Sequence, residues 1–189
     1  RAGEIEPTDL PPPAPHALRV AAGEPLTLGP SLTQQIYSIG VIGQLFSGLV
    51  ELSPEMSVVP DVARSWEVLD GGRKYIFHLR DDVRWSDGVQ VTAGDFEYAW
   101  KRTLGPSTGS PLASLLYDVK GARAYHQGED ADPDRIGVRA LDEITLAVEL
   151  DGAVGYFLHL LACIATYPVP RHVVRAHGAA WTELGNIAT

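Results

Sequence analysis

Apolar residues recur along the chain at two spacings, one typical of helices and one typical of strands. Between Ser31 and Val50 they recur at every third or fourth position, which predicts an amphipathic helix that ends at Gly48. The apolar positions of this segment are Ile36, Ile39, Ile42, Leu45, Phe46 and Leu49. The same spacing predicts further helices. They cover residues 92–105, 110–122, 156–161 and 171–177.

Local capping signals mark where two of these helices begin. Thr92 is followed three residues later by Asp95, which predicts a capping box at the positive end of a helix dipole. Ser110 followed by Pro111 predicts an N-cap and a first turn. The expected buried stripes are Phe96, Ala99, Trp100 and Thr103 in the first helix and Leu112, Leu115, Leu116, Val119 and Ala122 in the second.

Alternating apolar and polar residues predict two hairpins. The first joins 65–68 to 74–79 through Asp70-Gly71-Gly72, and the second joins 137–141 to 144–150 around Asp142-Glu143. Tyr75, Phe77 and Leu79 then share one face of their strand. Because hairpins and helices interleave along the chain, the predicted fold class is α+β rather than doubly wound α/β.

The first residues differ from the rest of the chain in composition. Residues 1–16 are rich in proline and acidic side chains, which is typical of an extended linker or leader. Leu18–Ala22 then predicts a short strand that begins the folded part.

Composition and charge narrow the class of function. The chain has 189 residues, 45% of them hydrophobic, and a formal net charge of −9, so it has no basic field for nucleic acid. Cys163 is the single cysteine, which excludes an internal disulfide and a cysteine-based zinc site. The apolar run at 155–169 is interrupted by His and Pro and is shorter than the roughly 20 residues of a membrane span.

The residues that could carry chemistry all have a simpler structural interpretation. Asp130, Asp132 and Asp134 begin like a calcium loop, but Arg135 stands where that loop needs glycine. His172 and His177 are five apart and lie on different helix faces. Cys163 is expected to be buried and inert, Asp87 and Asp95 to be a turn residue and a helix cap, and Trp66, Trp85, Trp100 and Trp181 to be core residues. The residues by themselves therefore predict no enzyme, no metal and no cofactor.

A long motif between Phe77 and Arg102 gives the sequence a specific resemblance. It reads FHLR-x4-WSDG-x2-VTA-x-DF-x-Y-x-W-x-R. QLFSGLVEL and VVPDVARSWEV precede it, and SPLASLL and GVRALDEITLAVEL follow it. This order of motifs resembles the extracellular solute-binding proteins of family 5, the oligopeptide- and dipeptide-binding receptors of ABC importers.

The resemblance implies a division of the chain. Family members fold as two lobes, and the chain resembles part of lobe I of the periplasmic-binding-protein-like II fold, with the second lobe absent. Residues 1–17 would be the leader, 18–46 the first strand and helix of lobe I, 47–170 an inserted mixed α/β subdomain, and 171–189 the return into lobe I.

The resemblance also implies a function and partners. A peptide or other small solute would be trapped between two lobes by hinge closure, without catalysis, and delivered to an ABC permease. The protein would be a monomer in the periplasm or at the cell surface, attached to a membrane at most through a lipid anchor outside this sequence. Two alternatives remain at this stage: a ligand-sensing domain fused to a signalling or DNA-binding protein, and a stand-alone interaction module.

Matching the chain to the family from QLFSGL backwards indicates which residues meet the ligand. Gln34, Gln35, Ile36 and Tyr37 fall where the family contacts the ligand main chain, with backbone groups of Gln34 and Ile36 as the contacts. Leu112 falls where oligopeptide binders carry a ligand-facing tyrosine, and a leucine keeps an apolar wall there without the hydroxyl.

Overall fold

The structure is a computed structural model that describes residues 23–183, 185–186 and 189. Within them, strands form a two-stranded and a four-stranded antiparallel sheet, the larger one in the order β3-β4-β6-β5. The strands are β1 (Val50–Leu52), β2 (Val58–Pro60), β3 (Ala63–Leu69), β4 (Lys74–Leu79), β5 (Val138–Ala140) and β6 (Thr145–Glu149). The helices are α1 (Ile36–Leu45), α2 (Ala93–Leu104), α3 (Ala122–His126), α4 (Phe157–Leu160) and α5 (Arg171–His177). The mixed order confirms the α+β class.

Both predicted hairpins are confirmed. β3 turns into β4 through Asp70 and Gly71, which have φ angles of 50° and 63°, as the tight turn requires. Phe77 lies opposite Trp66 on one neighbouring strand and opposite Leu146 on the other. The predicted inward faces of β4 and β6 are buried, and they form the centre of the core.

α2 packs against β5 and β6, and its predicted stripe is buried. The capping box is present: the Asp95 carboxylate accepts the Thr92 N–H and hydroxyl, both at 2.9 Å. Asp95 also accepts the backbone N–H of Arg171 at 3.3 Å, and it is buried. One carboxylate therefore caps α2 and holds the start of α5 beside it.

Trp100 is the central aromatic anchor of α2. Its side chain is fully buried, and its indole N–H donates to the Thr166 carbonyl at 2.8 Å. Trp85 and Trp181 are also buried, as predicted, and Phe46 packs edge-on between them at ring distances of 6.4 and 6.2 Å. Trp66 differs from the prediction because it is half-buried at the edge of the core.

Two predicted helices are wrong in extent. The helix expected from Ser31 to Gly48 is α1, which spans Ile36–Leu45 alone. The chain beyond it must be extended, because the carbonyls of Gly48 and Leu49 accept the N–H groups of Val62 and Ala63 at 3.1 and 2.9 Å. Backbone pairing across the fold therefore overrides the helical spacing of Phe46 and Leu49.

The helix expected over 110–122 is broken into pieces. A 3-10 helix covers Ala113–Leu116, Val119 forms an isolated bridge with Leu150, and α3 starts after Gly121, whose φ is 69°. A side chain at Gly121 would lie 2.8 Å from the Arg135 carbonyl, so the chain turns there on glycine. The predicted apolar stripe is nevertheless buried at Leu116, Val119 and Ala122.

The other predictions have mixed outcomes. The short helix near 156–161 and the helix over 171–177 are confirmed as α4 and α5. The strand at Leu18–Ala22 and the leader lie outside the described residues. In the part of the chain that is described, no helix is long and apolar enough to cross a bilayer.

Candidate functional site

Buried polar side chains hold the segment that precedes α1. Gln35 uses its side-chain carbonyl to accept the Leu26 N–H at 3.1 Å and the Ser38 hydroxyl at 2.9 Å. The Thr33 hydroxyl accepts the Gln35 N–H at 3.0 Å. Thr33 and Ser38 are buried, so this network fixes the path of residues 33–38. The side-chain carbonyl of Gln35 is thereby engaged by the fold itself.

The same segment lies against the loop that contains Leu112. The Gln34 side-chain amide donates to the Pro111 carbonyl at 3.2 Å, and the Ser110 hydroxyl donates to the Ser31 carbonyl. Two of the residues predicted to meet ligand, Gln34 and Leu112, are thus neighbours although they are far apart in sequence. The structure brings them together through the backbone of Pro111.

Gln34 and Ile36 have backbone groups that the described fold does not use. No hydrogen bond within residues 23–183, 185–186 and 189 engages the N–H or carbonyl of Gln34, or the N–H of Ile36. Gln34 is exposed, and Ile36 is 75% exposed. Free backbone groups on a fixed, exposed segment can pair with an extended chain in the manner of an added strand.

The side chains around these groups are apolar and uncharged. Tyr37 is 48% exposed, and Ile39 and Leu45 are further exposed apolar residues of α1. Leu112 is half-buried against the core. Residues 25–50 and 103–117 contain no Asp, Glu, Lys, Arg or His. This surface can therefore bind main-chain and apolar groups, and it offers no ion pair to a charged group.

The other candidates from the sequence have structural partners. Asp130 and Asp132 both pair with Arg135, at 3.1 and 3.7 Å, and Asp134 pairs with Lys101 at 2.9 Å, so all three carboxylates of the calcium-like run have a cationic partner. No group of three metal-ligating side chains occurs in the part of the chain that the structure describes. Cys163 is half-buried rather than fully buried, which corrects the prediction.

His172 and Asp87 join two segments that the sequence analysis treated separately. The imidazole Nε2 lies 2.6 Å from Asp87 Oδ2, so the turn at 85–88 is tied to α5. This hydrogen bond holds the pKa of the Asp87 carboxyl below its usual range. Since Asp87 also accepts the Val89 N–H at 3.0 Å, its role is to close the turn, as the sequence predicted.

The expectation that the chain has no nucleophile-elbow spacing, G-x-S-x-G, is wrong, because Gly105–Gly109 reads GPSTG. Ser107 lies in a 3-10 turn directly after α2, whereas an elbow joins a strand to a helix. Within the described residues its hydroxyl has no hydrogen bond to a histidine or carboxylate. The spacing therefore lacks the geometry of an activated serine.

Comparison with known proteins agrees with the fold. The family model described as bacterial extracellular solute-binding proteins, family 5, middle, matches residues 57–188. The chain is 40% identical over 166 residues to the probable deoxycholate-binding periplasmic protein YgiS of Escherichia coli, covering 87% of this chain and 31% of that protein. It is also 40% identical over 166 residues to the periplasmic murein peptide-binding protein MppA of Escherichia coli, covering 87% and 30%.

Solved structures extend the likeness to three dimensions. The structure of Haemophilus influenzae OppA in complex with RPPGFSPFR superposes with a TM-score of 0.84 at 35% identity. That match covers 88% of this chain and 33% of the other. The chain thus spans about a third of the length of the relatives that it matches.

Proposed function

This chain belongs to the bacterial extracellular solute-binding proteins of family 5, and from that membership we propose that it is part of the solute-binding component of an ABC importer. Its ligand is a peptide or another small solute, and its place of action is outside the cytoplasm. The observation that carries the proposal is the fixed segment at Gln34–Tyr37, in which no hydrogen bond among the described residues engages the N–H and carbonyl of Gln34 or the N–H of Ile36. Gln34 is bonded to Pro111, the residue before Leu112.

The binding mechanism follows from what this segment offers. An extended ligand pairs its main chain with the N–H and carbonyl of Gln34 and with the N–H of Ile36. Leu112 and Tyr37 form an apolar wall beside it. A second lobe, in the two thirds of family length that this chain does not span, closes over the ligand by a hinge motion. The closed form then engages the permease, and no covalent bond is made or broken.

The division of the chain is part of the same proposal. Residues 18–46 begin lobe I, residues 47–170 form the inserted subdomain, and residues 171–189 return to lobe I. The exposed apolar residues of α1, Ile39 and Leu45 among them, support this division, because they fit a helix that further parts of a lobe cover. A monomeric state and a lipid anchor outside this sequence complete the proposal.

The relatives differ in the ligand that their names give, so the solute class stays broad. One is named for deoxycholate and another for murein peptide. An uncharged, apolar wall with free main-chain groups is compatible with both, because neither ligand needs an ion pair at this wall. No observation on the described residues favours the sensing alternative.

Titration of this chain with tri-alanine tests the proposal. Since the chain supplies one wall of the site, we expect a dissociation constant weaker than about 100 μM. We also expect the peptide to be recovered intact by chromatography after prolonged incubation, because residues 34–37 and Leu112 include no serine, cysteine, histidine or carboxylate. Micromolar binding would contradict the two-lobe mechanism, and cleaved peptide would contradict a binding protein.

A further inference from the structure

A second, chemically different groove lies between α2 and α5, away from the segment at Gln34–Tyr37. It encloses about 560 Å³. Its walls carry Lys101, Arg102, Arg171, Arg175, Tyr98 and Tyr125. Nothing in the binding mechanism proposed above uses these residues.

The cations of this groove differ in how they are neutralised. Lys101 is held by two carboxylates, Glu97 at 2.7 Å and Asp134 at 2.9 Å. Arg102, Arg171 and Arg175 have no carboxylate within 4.0 Å among the described residues. The groove therefore holds an excess of positive charge in a chain whose formal net charge is −9.

The fold holds two of these guanidinium groups toward the groove. Arg175 lies over the ring of Tyr98, with its Cζ 5.8 Å from the ring centroid. Arg171 lies over the first turn of α2, where a side chain added at Gly94 would come within 3.5 Å of its Nη1. Arg171 and Arg175 are four residues apart on α5 and so share one helix face.

This arrangement carries a modest electrostatic cost, because Arg171 and Arg175 are exposed and water screens their charges. Like charges four residues apart on a helix destabilise it, and Arg102 adds a third cation on the facing helix. A solvated surface normally mixes charges of both signs, as Lys101 does here with its two carboxylates. An anion in the groove would relieve the repulsion and accept several guanidinium hydrogen bonds at once.

From this geometry we infer that the groove between α2 and α5 is a binding site for a doubly charged oxyanion, either phosphate or a phosphate monoester. A phosphate dianion presents three acceptor oxygens, and guanidinium groups donate to such oxygens in pairs. The hydroxyls of Ser107 and Thr108 line the same groove and supply neutral donors. The source of the phosphate is either a free solute or a lipid headgroup.

Calorimetric titration with inorganic phosphate at constant ionic strength tests the inference. We expect saturable binding with a dissociation constant of about 1 mM. The double variant Arg102→Gln/Arg175→Gln is expected to bind at least about tenfold more weakly, because two of three charge-assisted contacts are lost. The matched control is Arg64→Gln/Arg73→Gln, which removes the same charge from exposed arginines outside the groove.

The possible results distinguish a specific phosphate site from general electrostatic attraction to positive charge. The site is supported if the control variant binds phosphate with the parental affinity and if the circular dichroism spectra of both double variants are unchanged. Absence of saturation up to about 20 mM phosphate, or equal losses in both double variants, overturns it. Co-sedimentation with vesicles that contain phosphatidic acid, whose headgroup is a phosphate monoester, but not with pure phosphatidylcholine vesicles, lost in the groove variant, assigns the phosphate to a lipid headgroup. Phosphate binding without co-sedimentation assigns it to a free solute.

Discussion

Replacing Trp100 by alanine is expected to lower the free energy of unfolding by about 3–5 kcal/mol, the range for truncating a buried Trp or Phe. The side chain is fully buried where α2 meets the 3-10 helix at Ile164–Thr166. Its removal leaves a cavity and also takes the indole N–H away from the buried Thr166 carbonyl. Chemical denaturation followed by circular dichroism measures the change.

Trp100→Phe separates the hydrogen bond from the packing. This variant keeps most of the apolar volume and loses the donor to Thr166, so we expect a loss of about 1–2 kcal/mol. Val68→Ala is the matched surface control, because Val68 is half-exposed on β3, and its effect is expected to stay within about 0.5 kcal/mol. Equal losses for Trp100→Ala and Trp100→Phe would refute the packing argument.

Replacing Gln34 by proline is expected to weaken tri-alanine binding at least about tenfold. Proline has no N–H, so the variant removes one of the main-chain groups that the ligand would pair with. A lost main-chain hydrogen bond that leaves its partner unsatisfied costs enough for that factor. Gln34 precedes the N-cap residue of α1, so proline at this position leaves the hydrogen bonds of α1 intact.

Gln34→Ala is the control for that experiment. Both variants lose the side-chain bond from Gln34 to the Pro111 carbonyl, but alanine keeps the backbone N–H. Alanine should therefore bind like the parent, within about twofold. Equal weakening of both variants would mean that the side chain, rather than the backbone, makes the contact.

Local signals predict those elements whose energetics are themselves local. The capping box at Thr92 and Asp95 and the turn at Asp70-Gly71 depend on neighbours in sequence, and the structure confirms both. The buried faces of the two hairpins, at Phe77 and Leu146, follow from the strict alternation of apolar and polar residues along the strands. Such alternation is expected where one face of a strand is buried. For these features the local sequence pattern and the tertiary fold favour the same conformation.

The wrong predictions arise where contacts distant in sequence decide the backbone. Phe46 and Leu49 have helical spacing, yet pairing of Gly48 and Leu49 with residues 62–63 extends the chain. Val119 fits a helical stripe, yet it pairs with Leu150. All three apolar residues are buried as predicted, so the pattern identifies the burial but not the conformation.

The candidate site was likewise predicted only in part from the sequence. The family resemblance indicated Gln34–Tyr37 and Leu112, but no local pattern shows that Gln34 contacts Pro111 or that Gln35 is used by Leu26 and Ser38. The arginine groove was also missed in the sequence. Arg171 and Arg175 at a spacing of four were its only local signal, and the absence of carboxylate partners among the described residues depends on the tertiary arrangement.

Amide chemical-shift mapping of the ¹⁵N-labelled chain during titration with tri-alanine, up to about 10 mM, shows directly whether the solute binds at Gln34–Tyr37. We expect saturable shifts at the amides of Gln34, Ile36, Tyr37 and Leu112, which surround the backbone groups that no hydrogen bond among the described residues engages. Amides in the arginine groove, such as Arg175, should stay unchanged and serve as an internal control. Shifts centred elsewhere, or none at that concentration, would contradict a solute-binding wall at this segment.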